Sequence, residues 1–154
     1  MCRAVIPYLK ENPTGKIINL SGGGATSPMP GMSAYAASKV AVVRFTETLA
    51  LELKLHNIDV NAVAPGAMNT RLLDDVLNNG QNAVTRQYYQ NALKQKESGG
   101  TPPSKAAELC VYLASDVSNG VTGKLISAVW DDWDNLHNCL NELDSDIYTL
   151  RRIV

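Results

Sequence analysis

The sequence predicts an α/β protein built on a parallel sheet, for three reasons. Two short apolar runs of strand character stand one helix length apart: Ile17, Ile18 and Leu20 in the first, I-D-V-N-A-V-A at 58–64 in the second. The segment between them, residues 33–56, is helix-forming, and each run gives way to glycine and proline, at 22–31 and at Pro65-Gly66. Strand, helix and strand in that order form a crossover unit, which joins parallel neighbours. Ligands of such a sheet sit beyond the carboxyl ends of the strands, where Ser21 and Pro65-Gly66 fall.

Residues 2–10 place Val5, Ile6 and Leu9 at helical spacing, with Pro7 tolerable only near a helix start or at a kink. E-N-P-T-G at 11–15 stops that helix and turns the chain into the first strand, 16–20. The helix over 33–56 has Ser33 as its expected N-cap and ends at Asn57. Its apolar stripe is expected at Val42, Phe45, Leu49 and Leu53, widened by Val43 and Ala50, with Arg44, Glu47 and Lys54 outside. Ala34, Ala36, Ala37 and Ser38 let a neighbour approach its first turns closely.

From 71 to 100 the composition turns polar and amide-rich, which predicts two short helices broken at 78–82, the second holding Gln87, Tyr88, Tyr89 and Gln90. A turn follows, then a helix capped by Ser104 with Ala107, Leu109, Cys110 and Leu113 inward, then a last strand over 121–129. Residues 131–154 read as a polar C-terminal extension to a domain of residues 1–130. One indole of Trp130 and Trp133 is expected to tuck into the core.

A chain of 154 residues is one domain's worth. Its net charge of −1 and low aromatic content argue against a nucleic-acid or membrane-surface partner. No apolar run approaches the roughly 18 residues of a membrane span, and no leader with a cleavage site opens the sequence, so a cytoplasmic protein is expected. Cys2, Cys110 and Cys139 are odd in number and widely spaced, which reads as reduced thiols. His137-x-Cys139 is half a metal site without a second pair at ligand spacing, so no metal is expected.

The chemistry-bearing pair is Tyr35 and Lys39. Four residues apart on a helix, they share a face, with the ammonium near the phenol. A phenol ionises near pH ~10, and a neighbouring cation favours phenolate, so such a tyrosine could exchange protons near neutrality. Proton exchange on an alcohol or carbonyl oxygen is what hydride transfer at the adjoining carbon requires. Taken alone, Y-x-x-x-K is equally a surface pair on an amphipathic helix.

The surroundings carry more. An apolar strand ending in N-L-S, a glycine and proline loop, Y-A-A-S-K at 35–39 and I-D-V-N-A-V-A-P-G-A-M-N-T at 58–70 together resemble the short-chain dehydrogenase/reductase family, over roughly 4–126. The resemblance implies a partial Rossmann-like, doubly wound parallel sheet and an oxidoreductase moving hydride between NAD or NADP and a secondary alcohol or ketone. It implies Tyr35 as general acid/base and Lys39 as the group that lowers its pKa and holds the nicotinamide ribose. Ser21 is implied as the donor to the substrate oxygen, and Pro65, Gly66 and Thr70 as contacts to the nicotinamide and its phosphates. The helix over 33–56 is implied to pair with its copy in a homo-oligomer, and the segment 71–100 to cover a small-molecule substrate.

The sequence also departs from that pattern. Ser21 precedes Tyr35 by fourteen residues, whereas the family's spacing is shorter and falls on Gly22, which has no hydroxyl. A one-residue insertion among Gly22, Gly23 and Gly24 would restore Ser21, and Ser27 and Ser33 are fallback donors. No glycine-rich dinucleotide fingerprint precedes residue 16, so the chain reads as the carboxyl-terminal half of such an enzyme. A different expectation follows from the same facts: a catalytically silent chain kept as an oligomerisation or binding module.

Overall fold

The structure is a computed structural model and describes residues 1–82, 84–143 and 146–151; of the expected extension, residues 144–145 and 152–154 lie outside the described residues. Helix α1 (Cys2–Leu9) leads into strand β1 (Gly15–Leu20), the long helix α2 (Ser33–Leu53) and strand β2 (Ile58–Ala64). Helices α3 (Arg71–Asn79), α4 (Arg86–Ser98) and α5 (Pro103–Ala114) follow, then strand β3 (Leu125–Ser127) and the short α6 (Leu140–Leu143). The strands form one parallel sheet in the order β1-β2-β3.

β2 is the central strand, and its alternation sorts the two faces. Ile58 and Val60 pack with Leu49, Ala50 and Leu53 of α2, and Ala62 packs with Val43. On the other face Val63 joins Leu109 and Leu113 of α5. Helices thus cover both faces, the arrangement that a parallel sheet with continuous apolar strands requires. Asn61 also lies inside this strand, and its amide is satisfied by donating to the Val121 carbonyl at 2.7 Å and accepting from Lys124 N–H at 3.1 Å. Register is fixed at the amino end by directly opposed Lys16 and Asp59, paired at 2.8 Å.

Several local expectations shift. The buried stripe of α2 is Val43, Thr46, Glu47, Leu49, Ala50 and Leu53, while Phe45 is half exposed, so the face is rotated from the expected one. Glu47 points inward because the C-terminal segment returns to it: its carboxylate accepts from Leu150 N–H at 2.9 Å and from Arg151 at 3.1 Å, and also pairs with Arg44. Ser33 is the first residue of α2, whose N-cap is Met32. α5 starts at Pro103, a residue suited to a first helical turn, so Pro102 replaces Ser104 as cap and Ala106 replaces Ala107 inside. Asn57 ends the turn that follows α2 in a left-handed conformation, as its residue type allows.

The stretch after β3 packs back on the domain. Leu136 and Leu143 enter the α5 cluster, Trp133 lies half-buried against Tyr112 at 5.6 Å between ring centroids, and Trp130 stays exposed. His137 sits beside the Tyr112 hydroxyl at 3.4 Å, and the Cys139 thiol donates to the Asn135 carbonyl. Leu125 N–H donates to the Tyr148 carbonyl at 2.8 Å and Lys124 Nζ to that of Ile147 at 3.0 Å, so 146–151 lies along the outer edge of β3. Among the described residues no helix is long and apolar enough to cross a membrane.

Candidate active site

The site forms where β1 and β2 end. Ser21 N–H donates to the Val63 carbonyl at 2.8 Å, extending the sheet pairing by one residue, and the buried Ser21 Oγ donates to the Lys39 carbonyl at 3.1 Å. That bond ties the strand end to the second turn of α2. Gly22 follows in extended conformation, with its Cα turned to the tyrosine: a Cβ added there would lie 2.7 Å from Tyr35 Oη. Gly24 also comes close to α2, where an added Cβ would be 3.1 Å from the Ala36 Cα. The small residues at the start of α2 admit this loop.

Tyr35 and Lys39 share a face of α2, with Lys39 Nζ 5.6 Å from the ring centroid. The ammonium also donates to the Leu20 carbonyl at 3.3 Å. Burial pushes the half-buried Tyr35 phenol above its ordinary 10.0, a direction opposite to the one the resemblance implies. The physical reason is that desolvation of the phenol disfavours phenolate, even with the Lys39 ammonium standing over the ring.

At the end of β2, Gly66 takes φ +89, and an added Cβ would strike Val129 Cγ2 at 2.7 Å and Thr101 Oγ1 at 2.8 Å, so only glycine fits the turn. Thr70 is the N-cap residue of α3, its carbonyl accepting from Leu73 and Asp74 N–H, and its side chain makes no capping bond. The hydroxyl and the first N–H groups of the helix remain available to an anionic ligand.

Ser21, Tyr35, Lys39, Pro65, Gly66 and Thr70 all line one cavity of about 970 Å³, at the top of the range of ligand pockets. Tyr88, Asn91 and Gln95 of α4 also line it, within the segment 71–100 that the resemblance implies covers a substrate. Trp130, Asp131 and Tyr148 of the C-terminal stretch complete the wall; nothing in the sequence placed 148 beside the sheet end. Ser27 lines the cavity as well, whereas Ser33 does not.

A parallel sheet covered by helices on both faces, with a tyrosine–lysine helix and a proline-glycine turn meeting at its carboxyl ends, defines the doubly wound α/β class. The sequence model described as "Enoyl-(Acyl carrier protein) reductase" matches residues 1–128. The chain is 36% identical to 3-oxoacyl-(acyl-carrier-protein) reductase of Thermotoga maritima over 123 residues, covering 79% of the chain and 47% of that relative. It is 37% identical to 3-ketodihydrosphingosine reductase of Bacteroides thetaiotaomicron over 121 residues, 74% of the chain and 45% of that relative. A crystal structure of 3-ketoacyl-(acyl-carrier-protein) reductase from Brucella melitensis complexed with NADH superposes with a TM-score of 0.64 at 29% identity, over 82% of this chain and 49% of that one. The chain belongs to the short-chain dehydrogenase/reductase family. It spans about half the length of the curated relatives it matches.

Proposed function

We propose that the chain carries the proton-transfer and nicotinamide-facing part of an NAD- or NADP-dependent oxidoreductase that interconverts a secondary alcohol and a ketone. The observation that carries this reading is the Tyr35 phenol at the wall of the strand-end cavity with Lys39 one turn behind it. The cavity suits the cofactor: Gly23, Gly24 and Gly66 bring bare backbone to its wall, and an uncapped Thr70 hydroxyl stands at a helix N-terminus. When bound, the cofactor supplies or accepts the hydride. Pro65, Gly66 and Thr70 are assigned to hold the nicotinamide and its phosphates, and Lys39 the ribose hydroxyls.

In the reducing direction Tyr35 gives its proton to the carbonyl oxygen as the carbon accepts hydride, and Lys39 stabilises the phenolate left behind. The raised pKa of Tyr35 keeps the phenol protonated at neutral pH, the form needed for reduction. We assign Ser21 to positioning: its hydroxyl is engaged by the Lys39 carbonyl, which fixes the turn that presents Tyr35 and Lys39. The exposed Val40, Phe45 and Leu51 of α2, with Leu55 in the turn after it, support pairing of this helix with its copy in a homo-oligomer. Three free cysteines fit a cytoplasmic setting.

Gly22 favours a second reading, since the position facing Tyr35 brings no hydroxyl: a silent chain that binds a relative through α2. Calorimetric titration with NADH and NADPH separates the two. Saturable binding of either supports the redox reading; no binding, together with stable association through α2, supports the binding module.

A further inference from the structure

The proposed reduction leaves a requirement that the assigned residues do not meet. As hydride reaches the carbonyl carbon, the electron pair of the breaking π bond collects on oxygen, and a lone proton donor leaves part of that charge without a partner. Next to Tyr35 the chain offers the bare Cα of Gly22, and the Ser21 hydroxyl is engaged by the Lys39 carbonyl. Thr26 and Gln95 donate to the Gly23 and Met68 carbonyls, while Ser27 and Asn91, whose amide oxygen accepts from Gln87, stand exposed to water at the cavity rim, in contrast to the partly buried Tyr88.

Two phenols besides Tyr35 line the cavity, and they differ. Burial and then the nearby Asp131 and Asp132 carboxylates raise the Tyr148 phenol, which places it by the acidic C-terminal stretch. Burial and then the nearby Tyr35 raise the Tyr88 phenol, which places it by the tyrosine assigned as the acid. The backbone holds this pair in place. Gly31, at φ +86, runs so close to α4 that an added Cβ would lie 3.0 Å from Thr85 N and 3.1 Å from Val84 Cα. Thr85 caps the helix by accepting from Tyr88 N–H at 3.3 Å, and Tyr88 packs in one cluster with Leu73, Val84 and Ala92 that also takes in Met32. The segment bearing Tyr88 is therefore clasped to the chain just before the helix that bears Tyr35.

We propose that Tyr88 is the second hydrogen-bond donor of the site, its phenol O–H holding the substrate oxygen while Tyr35 delivers the proton. In the step, a C–H bond forms from the hydride of the reduced nicotinamide, the carbonyl π bond breaks onto oxygen, and the Tyr35 proton closes the new O–H bond. Tyr88 donates throughout and ends with its own proton. The assignment rests on the redox reading above and on Tyr35 as its acid.

Two measurements on the full chain test it. With ¹³Cζ-tyrosine labels, Tyr35→Phe is expected to move the Tyr88 titration midpoint down towards that of a free phenol. An unmoved midpoint overturns the shared site, whether or not turnover is measured. In ketone reduction by NADH or NADPH, Tyr88→Phe is expected to lower kcat on the order of 10²-fold, with the KM for dinucleotide unchanged. If Tyr35→Phe abolishes turnover and Tyr88→Phe keeps the wild-type kcat, the Tyr88 role is wrong and the redox reading stands; if Tyr35→Phe turns over normally, the redox reading itself fails.

Discussion

The two halves of α2 are put to different uses. From Ser33 through residue 42 no side chain is buried, and this half presents Tyr35 and Lys39 to the cavity. From Val43 on, six residues are buried against the sheet and the returning C-terminal segment. The far half anchors the helix in the core, while the near half meets the loop at Gly24 and Ala36 and keeps Tyr35 and Lys39 at the cavity wall. Functional groups on a lightly packed turn, fixed by a rigid element behind them, are a common way for a site to combine precision with access.

This contrast is open to direct attack. The largest stability effect is expected at the far end: Leu53→Ala removes a 3% exposed side chain from the cluster with Ile58 and Val60. The expected loss is about 2–5 kcal/mol in chemical denaturation, and a loss near zero would mean that α2 is not anchored there. A smaller effect is expected from Glu47→Gln, which weakens the hydrogen bonds to Arg44 and Arg151. The cost is about 1.5–3 kcal/mol, accompanied by faster proteolysis within 146–151; wild-type cleavage would show that the segment is held by other contacts.

The smallest effect concerns pH and weighs burial in several regions at once. Burial raises Tyr35, Tyr88, Tyr112 and Tyr148 above 10.0 and Cys110 above 9.0. A raised folded-state pKa means that the unfolded chain releases its proton first. The stabilisation is therefore complete below pH 9.0 and is lost progressively as pH rises past 9.0 and 10.0. Thermal melts across this range should show a falling Tm, less steep in Cys110→Ala and Tyr88→Phe; parallel curves would mean that these groups are not desolvated by folding.

Much of this architecture was legible because it is local. The short apolar runs of the strands and the single helix length between them follow from run length, and the shared face of Tyr35 and Lys39 from a period of about 3.6 residues. The sequence also brought Ser21, Pro65, Gly66 and Thr70 to the strand ends, where they share one cavity. What escaped depends on distant partners. α2 is apolar around much of its circumference, so its composition announces a buried face and leaves the phase to the sheet. Glu47 looks like a surface residue until Leu150 and Arg151, about a hundred positions later, supply its hydrogen bonds. The shift of Tyr35 likewise depends on desolvation by its surroundings, which spacing does not reveal.

The central claim is that the Tyr35 hydroxyl moves the proton in a nicotinamide-dependent carbonyl reduction. Its most direct test is the rate of ketone-dependent NAD(P)H oxidation by Tyr35→Phe beside wild type, with dinucleotide affinity measured in parallel. The account predicts a rate lower by on the order of 10²–10⁴-fold with affinity retained. A Tyr35→Phe variant that oxidises the cofactor at the wild-type rate would contradict it.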